Sequence, residues 1–182
     1  MKIVFLDRDG VINKYPGHGD YVKKVKDLHL LPGALDAVKR LNEAGFKVFV
    51  VSNQACVGRG IITQAKLDQI TNKILKAAKL KKVRFDGIYY CTHHPDEQCD
   101  CRKPGIGNIK KAFASIGKRL ASAKNGFFVG DTDKDIEAGY KAHLTTILVE
   151  TGRDRFKDTK RWIYKPHHVA KNLQAAVDII LS

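Results

Sequence analysis

The chain has 182 residues and a mass of 20.3 kDa, the size of one domain, and its 43% hydrophobic and 29% charged residues exclude a disordered tail protein. Its longest apolar runs, such as Val48 to Val51 and Ile179 to Leu181, fall far short of the roughly 20 residues of a transmembrane helix, and Asp7 interrupts the first apolar stretch before a signal-peptide core forms. A formal charge of +14, from 33 Lys and Arg against 19 Asp and Glu, raises nucleic acid as a partner, but the basic stretches Lys73 to Arg84 and Arg102 to Lys124 carry helical patterns and no C2H2 finger or RNA-recognition signature, so the excess reads as a solvated surface that draws in anionic substrates.

Along the chain, apolar β-branched runs alternate with helical periodicity. Ile3 to Leu6 reads as a strand. Ala34 to Ala44 follows the Pro32-Gly33 breaker, carries Leu35, Val38 and Leu41 on one stripe and stops at Gly45, which marks a helix. Phe46 to Val51 is the second strand, and Thr63 caps a helix through Ala78 with Leu67, Ile70, Ile74 and Leu75 facing inward. Phe85 to Tyr90 is a strand, Asn108 to Leu120 a helix, Phe127 to Val129 a strand, Asp133 to Lys141 a helix, Thr145 to Val149 a strand and Lys171 to Leu181 a closing helix. This is the order of an α/β fold, a doubly wound Rossmann-like parallel sheet, in a single domain over residues 1–182. No insertion between the first three strands is long enough to form a separate cap domain.

Such sheets bind ligands beyond the carboxyl ends of their strands. Asp7-Arg8-Asp9-Gly10 follows the first strand, Ser52-Asn53-Gln54 the second, a Cys/His-rich loop leading into Arg102-Lys103-Pro104 the third, and Gly130-Asp131-Thr132-Asp133-Lys134-Asp135 the fourth. Asp7, Asp9 and Asp131 brought together would repel unless a hard cation sat among them, and Mg2+ suits oxygen ligands of this kind. The alternating acids from Asp131 imitate a calcium loop but fail as one, since Ile136 stands where that loop needs Gly and Ala142 where it needs Glu. Helix capping accounts for Asp133 and leaves the Asp7/Asp9 pair unexplained. Cys91, His93, Cys99 and Cys101 form C-x-H-x5-C-x-C, three soft thiolates and an imidazole that fit tetrahedral Zn2+ with no position left for water. His94 reads as solvated and Cys56 as an ordinary thiol. With neither a membrane span nor a signal-peptide core, the chain reads as cytoplasmic, a reducing compartment in which its four cysteines are metal ligands or free thiols rather than disulfides.

The strand-DxDG start, the Ser after the second strand, the Lys before Pro104 and the late GDxxxD resemble, in order, the four motifs of haloacid dehalogenase superfamily phosphatases, over roughly Lys2 to Arg153. The resemblance implies that Asp7 attacks phosphorus to form an aspartyl-phosphate and that Asp9 protonates the leaving alkoxide and then deprotonates water. It implies further that Ser52 and Lys103 hold the phosphoryl oxygens, and that Mg2+ sits on Asp7, the Asp9 carbonyl and Asp131, with Asp135 orienting that shell from behind.

The zinc loop ending in Cys-Arg-Lys-Pro looks like the branch that contains D-glycero-D-manno-heptose 1,7-bisphosphate phosphatases and histidinol-phosphate phosphatases. Gly19-Asp20-Tyr21-Val22, Ser52-Asn53-Gln54-Ala55 with Gly58-Arg59-Gly60, Ile88-Tyr89-Tyr90-Cys91 and Thr151-Gly152-Arg153 lean to the heptose side. Carried over, His18, Gly19, Asp20, Tyr21, Asn53, Gln54 and Ala55 would touch the sugar and Arg102 would help recognise it. The implied reaction removes the 7-phosphate of a heptose 1,7-bisphosphate, a small sugar phosphate, in a monomeric enzyme. Its rivals are histidinol-phosphate cleavage and, from another class, a nucleic-acid end phosphatase or a basic nucleic-acid-binding module. Two departures stand out: Ser52 replaces the Thr common in heptose phosphatases but keeps the hydroxyl, and Thr132 stands where some members have Lys.

Overall fold

The structure, a computed structural model, describes residues 1–123 and 125–182, so Lys124, at the end of the second basic stretch, lies outside the described residues. Six strands, β1 (Ile3–Leu6), β2 (Lys47–Asn53), β3 (Gly87–Cys91), β4 (Phe127–Gly130), β5 (Thr145–Val149) and β6 (His168–Ala170), form one parallel sheet in the order β3-β2-β1-β4-β5-β6. Side-chain alternation splits β1 between two apolar layers: Val4 and Leu6 join one cluster, Ile3 and Phe5 the other, all without exposed surface.

Helices α1 (Ala34–Glu43), α2 (Gln64–Leu80) and α5 (Leu173–Leu181) cover the first layer, while α3 (Gly107–Ser115) and α4 (Asp133–Lys141) cover the second. Five Phe and Tyr rings, Phe5, Phe49, Phe113, Phe128 and Tyr89, fill the second layer, with Phe5 stacked 5.6 Å from Phe49 and 6.2 Å from Phe128. Thr63 caps α2 as expected, its side chain accepting from Lys66 N at 3.2 Å.

Three expectations are corrected. Leu75 is 41% exposed, because it lies about 80° round the helix from Leu67, beyond the stripe of Ile70, Ile74 and Ala78 that meets the sheet. Helix α3 ends at Ser115 rather than Leu120: Gly117, at φ +66°, closes a Schellman motif in which Gly117 N bonds Ala114 O at 3.0 Å and Lys118 N bonds Phe113 O at 2.9 Å. The sixth strand has three residues and lies at the sheet edge beside β5, too short for an alternating pattern to declare itself.

Chain order reverses between β1 and β4, and that reversal opens a crevice beyond their carboxyl ends. Between β1 and α1, residues 7–33 hold a single 3-10 turn at Val25–Asp27 and, among the described residues, no further helix or strand of a separate cap.

Candidate active site

Asp7 leaves β1 on the axis of this crevice, where its backbone N still bonds Val129 O at 3.0 Å. Its Oδ1 accepts from Lys103 Nζ at 2.7 Å, and the same ammonium donates to Asp135 Oδ1 at 2.5 Å. Lys103 is only 3% exposed, so this ion pair lies in a weakly screened setting. The lysine reaches Asp7 because its main chain is fastened to β2: Lys103 N donates to Asn53 Oδ1 and Asn53 Nδ2 to Lys103 O, both at 3.0 Å.

Asp131 follows β4 and is 2% exposed, its Oδ2 accepting from Arg153 N at 2.7 Å. Two glycines let backbone pass against this carboxylate. A Cβ on Gly10, which sits at φ +83°, would stand 2.4 Å from Asp131 Oδ2, and one on Gly152 would stand 1.9 Å away. Asp135, the third residue of α4, uses Oδ2 to accept from Asp131 N, Thr132 N and Thr132 Oγ1. The helix cap is therefore Thr132 with Asp135, which corrects the reading of Asp133 as the capping acid.

One carboxylate oxygen each from Asp7, Asp131 and Asp135 lie within 4.8 Å of one another. Burial pushes the Asp7 carboxyl up to about 6, with Asp135 and Asp9 adding to the rise and Lys103 opposing it. Burial, then Asp135 and Asp7, raise Asp131 well above the usual carboxylate range. Three buried acids against one ammonium leave room for a divalent counter-charge, and the hard oxygen donors fit Mg2+. Both oxygens of Asp135 are already engaged, so Asp7 and Asp131 are the carboxylates free to ligate.

Asp9 turns away from this group. Its oxygens accept from Arg8 Nη2 at 2.9 and 2.8 Å, Asn13 Nδ2 at 2.8 Å and Gln54 Nε2 at 2.8 Å. The expected metal contact through its main-chain carbonyl rather than its carboxylate agrees with that orientation. Arg8 has no exposed surface and lies over the Tyr90 ring at 5.5 Å.

In the loop after β3, Cys91 Sγ is 3.6 Å from both His93 Nδ1 and Cys99 Sγ, and Cys101 Sγ is 3.2 Å from His93 Nδ1 and 3.7 Å from Cys99 Sγ. Tetrahedral zinc with Zn–S near 2.3 Å sets ligand atoms about 3.7 Å apart, so the four donors fit that ion. Burial and the neighbouring thiols of Cys91 and Cys99 push Cys101 up to about 12, a crowding that a bound cation relieves. His94 stays outside the cluster, with its Nδ1 accepting from Asp96 N at 3.3 Å, and Cys56 is buried away from it.

A cavity of about 280 Å³ opens above Asp7, Ser52 and Lys103. His18, Gly19, Asp20, Tyr21, Asn53 and Arg102 line it, in the places the sequence suggested. Gln54 and Ala55 do not: both are buried, and the Gln54 amide is spent on Asp9 and Ser52. Their expected contact with the sugar is corrected accordingly. Sequence reasoning gave no site role to Tyr15, Lys134 and Arg153 on the cavity wall, or to Arg8 and Asn13 around Asp9, although Arg8, Lys134 and Arg153 lie in segments it singled out. The one available signal was a charged Arg8 set between two acids at a strand end, where alternation turns it to the opposite side from Asp7 and Asp9.

A family model described as HAD-hydrolase-like matches residues 100–176. The chain is 34% identical to the D-glycero-D-manno-heptose-1,7-bisphosphate 7-phosphatase of Chlorobaculum tepidum, over 97% of this chain and 92% of that one. It is 36% identical to the D-glycero-beta-D-manno-heptose-1,7-bisphosphate 7-phosphatase of Escherichia coli, over 82% and 80%. A crystal structure of the D,D-heptose 1,7-bisphosphate phosphatase of B. bronchiseptica with magnesium and phosphate superposes with a TM-score of 0.89 at 32% identity, covering 100% of this chain and 98% of that one.

Proposed function

Since the chain belongs to the heptose-1,7-bisphosphate 7-phosphatases of the haloacid dehalogenase superfamily, we propose that it hydrolyses the 7-phosphate of D-glycero-D-manno-heptose 1,7-bisphosphate, as a monomeric, single-domain cytoplasmic enzyme over residues 1–182. Among the described residues, no helix is long and apolar enough to cross a membrane. The observation that carries the reading is the Asp7–Lys103 pair, 2.7 Å apart, at the floor of a cavity whose wall bears Arg102, Lys134 and Arg153. An anionic sugar suits that wall.

In this reading Asp7 attacks phosphorus in line. The Asp7 Oδ–P bond forms, the ester P–O bond breaks, and the leaving sugar oxygen takes the proton of Asp9. Lys103 and Ser52 hold the equatorial oxygens, and Asp9 then accepts a proton from the water that splits the aspartyl-phosphate. Asp135 aligns Lys103 and the Asp131 loop through its hydrogen bonds. Mg2+, held by the carboxylates of Asp7 and Asp131 and the Asp9 carbonyl, would neutralise phosphoryl charge. Zn2+ on Cys91, His93, Cys99 and Cys101 would act as a structural clip ahead of Arg102 and Lys103.

A phosphate-release screen tests the reading. Heptose 1,7-bisphosphate should be the preferred substrate over histidinol phosphate, other sugar phosphates and phosphorylated DNA ends. Preference for histidinol phosphate or for DNA ends would overturn the substrate while keeping the phosphatase.

A further inference from the structure

Gln54 is the buried side chain that joins two groups of the proposed chemistry. It has no exposed surface, and its Nε2 donates one hydrogen to Asp9 Oδ2 at 2.8 Å and the other to Ser52 Oγ at 3.2 Å. In the resting site the Asp9 carboxylate is paired with Arg8 and accepts, so the amide nitrogen faces it, and Oε1 is left beside Cys56 Sγ at 3.8 Å. Ser52 Oγ already accepts from Gln54, which leaves the hydroxyl hydrogen for an acceptor in the cavity. Arg8 and Asn13 hold Asp9 from its other sides, but among the described residues Gln54 is the member of this clamp that also touches Ser52.

We propose that Gln54 is a positioning residue that couples phosphate capture to proton transfer. Its amide commits the Ser52 hydroxyl as a donor toward the phosphoryl group and aims Asp9 at the leaving oxygen. A phosphoryl oxygen accepting from Ser52 makes Ser52 Oγ a better acceptor in turn, which tightens the same amide that holds Asp9. Gln54 thus acts through two neighbours and does not itself meet the substrate.

This rests on the phosphatase reading above, and the test separates the two. Gln54→Met and Gln54→Glu keep the side-chain volume and are assayed on heptose 1,7-bisphosphate, whose alkoxide leaving group needs a proton, and on p-nitrophenyl phosphate, whose leaving group does not. Misaiming Asp9 should lower kcat on the sugar phosphate about tenfold or more beyond any loss on the nitrophenyl ester. In an Asp9→Asn background that difference between substrates should vanish. Equal losses on both substrates, or an undiminished difference in the Asp9→Asn background, would overturn the coupling. If the unaltered enzyme cleaves p-nitrophenyl phosphate and histidinol phosphate but no heptose bisphosphate, the substrate reading falls and histidinol phosphate serves as the alkyl arm. Should the unaltered enzyme cleave none of these, both readings fall together.

Discussion

Beyond β3, three thiols and an imidazole lie within 4.8 Å of one another in one short loop, Cys91 to Cys101; beyond β1 and β4, three carboxylates gather from positions 124 and 128 residues apart in sequence at their widest, Asp7 to Asp131 and to Asp135. The first cluster is local, soft and complete with four donors, so a cation held there would fix a loop without an open coordination position. The second is assembled by the whole sheet, hard and incomplete, with one lysine among its acids and a cavity above them. Anionic crowding alone therefore does not make a reactive centre. What distinguishes the two is whether a coordination position and a path to solvent remain.

Four measurements test that contrast, and the largest effect belongs to Asp7. Asp7→Asn should cut turnover on the order of 10⁴-fold or more, since the attacking oxygen is gone. Removing one of three crowded charges should leave thermal stability unchanged or raised. Residual turnover near the unaltered level would show that another group attacks phosphorus.

Chelation divides the clusters next. EDTA should stop phosphate release and added Mg2+ restore it, whereas elemental analysis should find zinc retained through the same mild treatment. Protein purified without chelators that contains no zinc would remove the closed cluster from the comparison. Arg102, directly after the last thiol, links the two regions. Arg102→Ala should lose roughly 1.5 to 3 kcal/mol in kcat/KM for the bisphosphate, the scale of a charged hydrogen bond, and much less for a monophosphate. Equal losses would break the link between the clip and recognition of a second phosphate.

The smallest effect is on stability against pH. Burial pushes the Asp7 carboxyl up to about 6, above its ordinary value of 3.8, so the stability it contributes is complete below about pH 4 and is lost as pH rises through 6. Asp131, also raised, has the same sign. The metal-free protein should accordingly melt a few degrees lower at pH 7 than at pH 5, and Mg2+ should flatten that slope. A slope insensitive to Mg2+ would argue against a cation among these acids.

The carboxylates and the Cys/His cluster were legible in the sequence because each announces itself locally, as an acid directly after an apolar run or as a tight spacing of soft donors. Asp135 was visible as an acid, but its partnership with Lys103 depends on α4 turning back over the end of β4, a tertiary relation without a spacing. Gln54 and Ala55 follow β2 like cavity residues, yet the chain turns them inward after Asn53, where Gln54 N bonds Cys91 O at 2.8 Å. Tyr15, Lys134 and Arg153 line one cavity from three separate connections, and the segments that hold Lys134 and Arg153 could be singled out without revealing which of their side chains reach it. Arg8 was obscured by the ordinary expectation that a charged residue at a strand end reaches water.

The paired bonds between the Asn53 side chain and the Lys103 main chain imitate a neighbouring strand, since one carboxamide supplies the donor and the acceptor that a backbone would. The amine's address is thus written into β2 itself. Residues 95–98 carry neither this anchor nor a donor of the Cys/His cluster, so lengthening the loop there would carry only the slow logarithmic cost of a longer closure. A single residue inserted between Cys101 and Lys103 has no such freedom: it would shift the register by about 3.5 Å, and either the clip or the carboxamide would lose its partner.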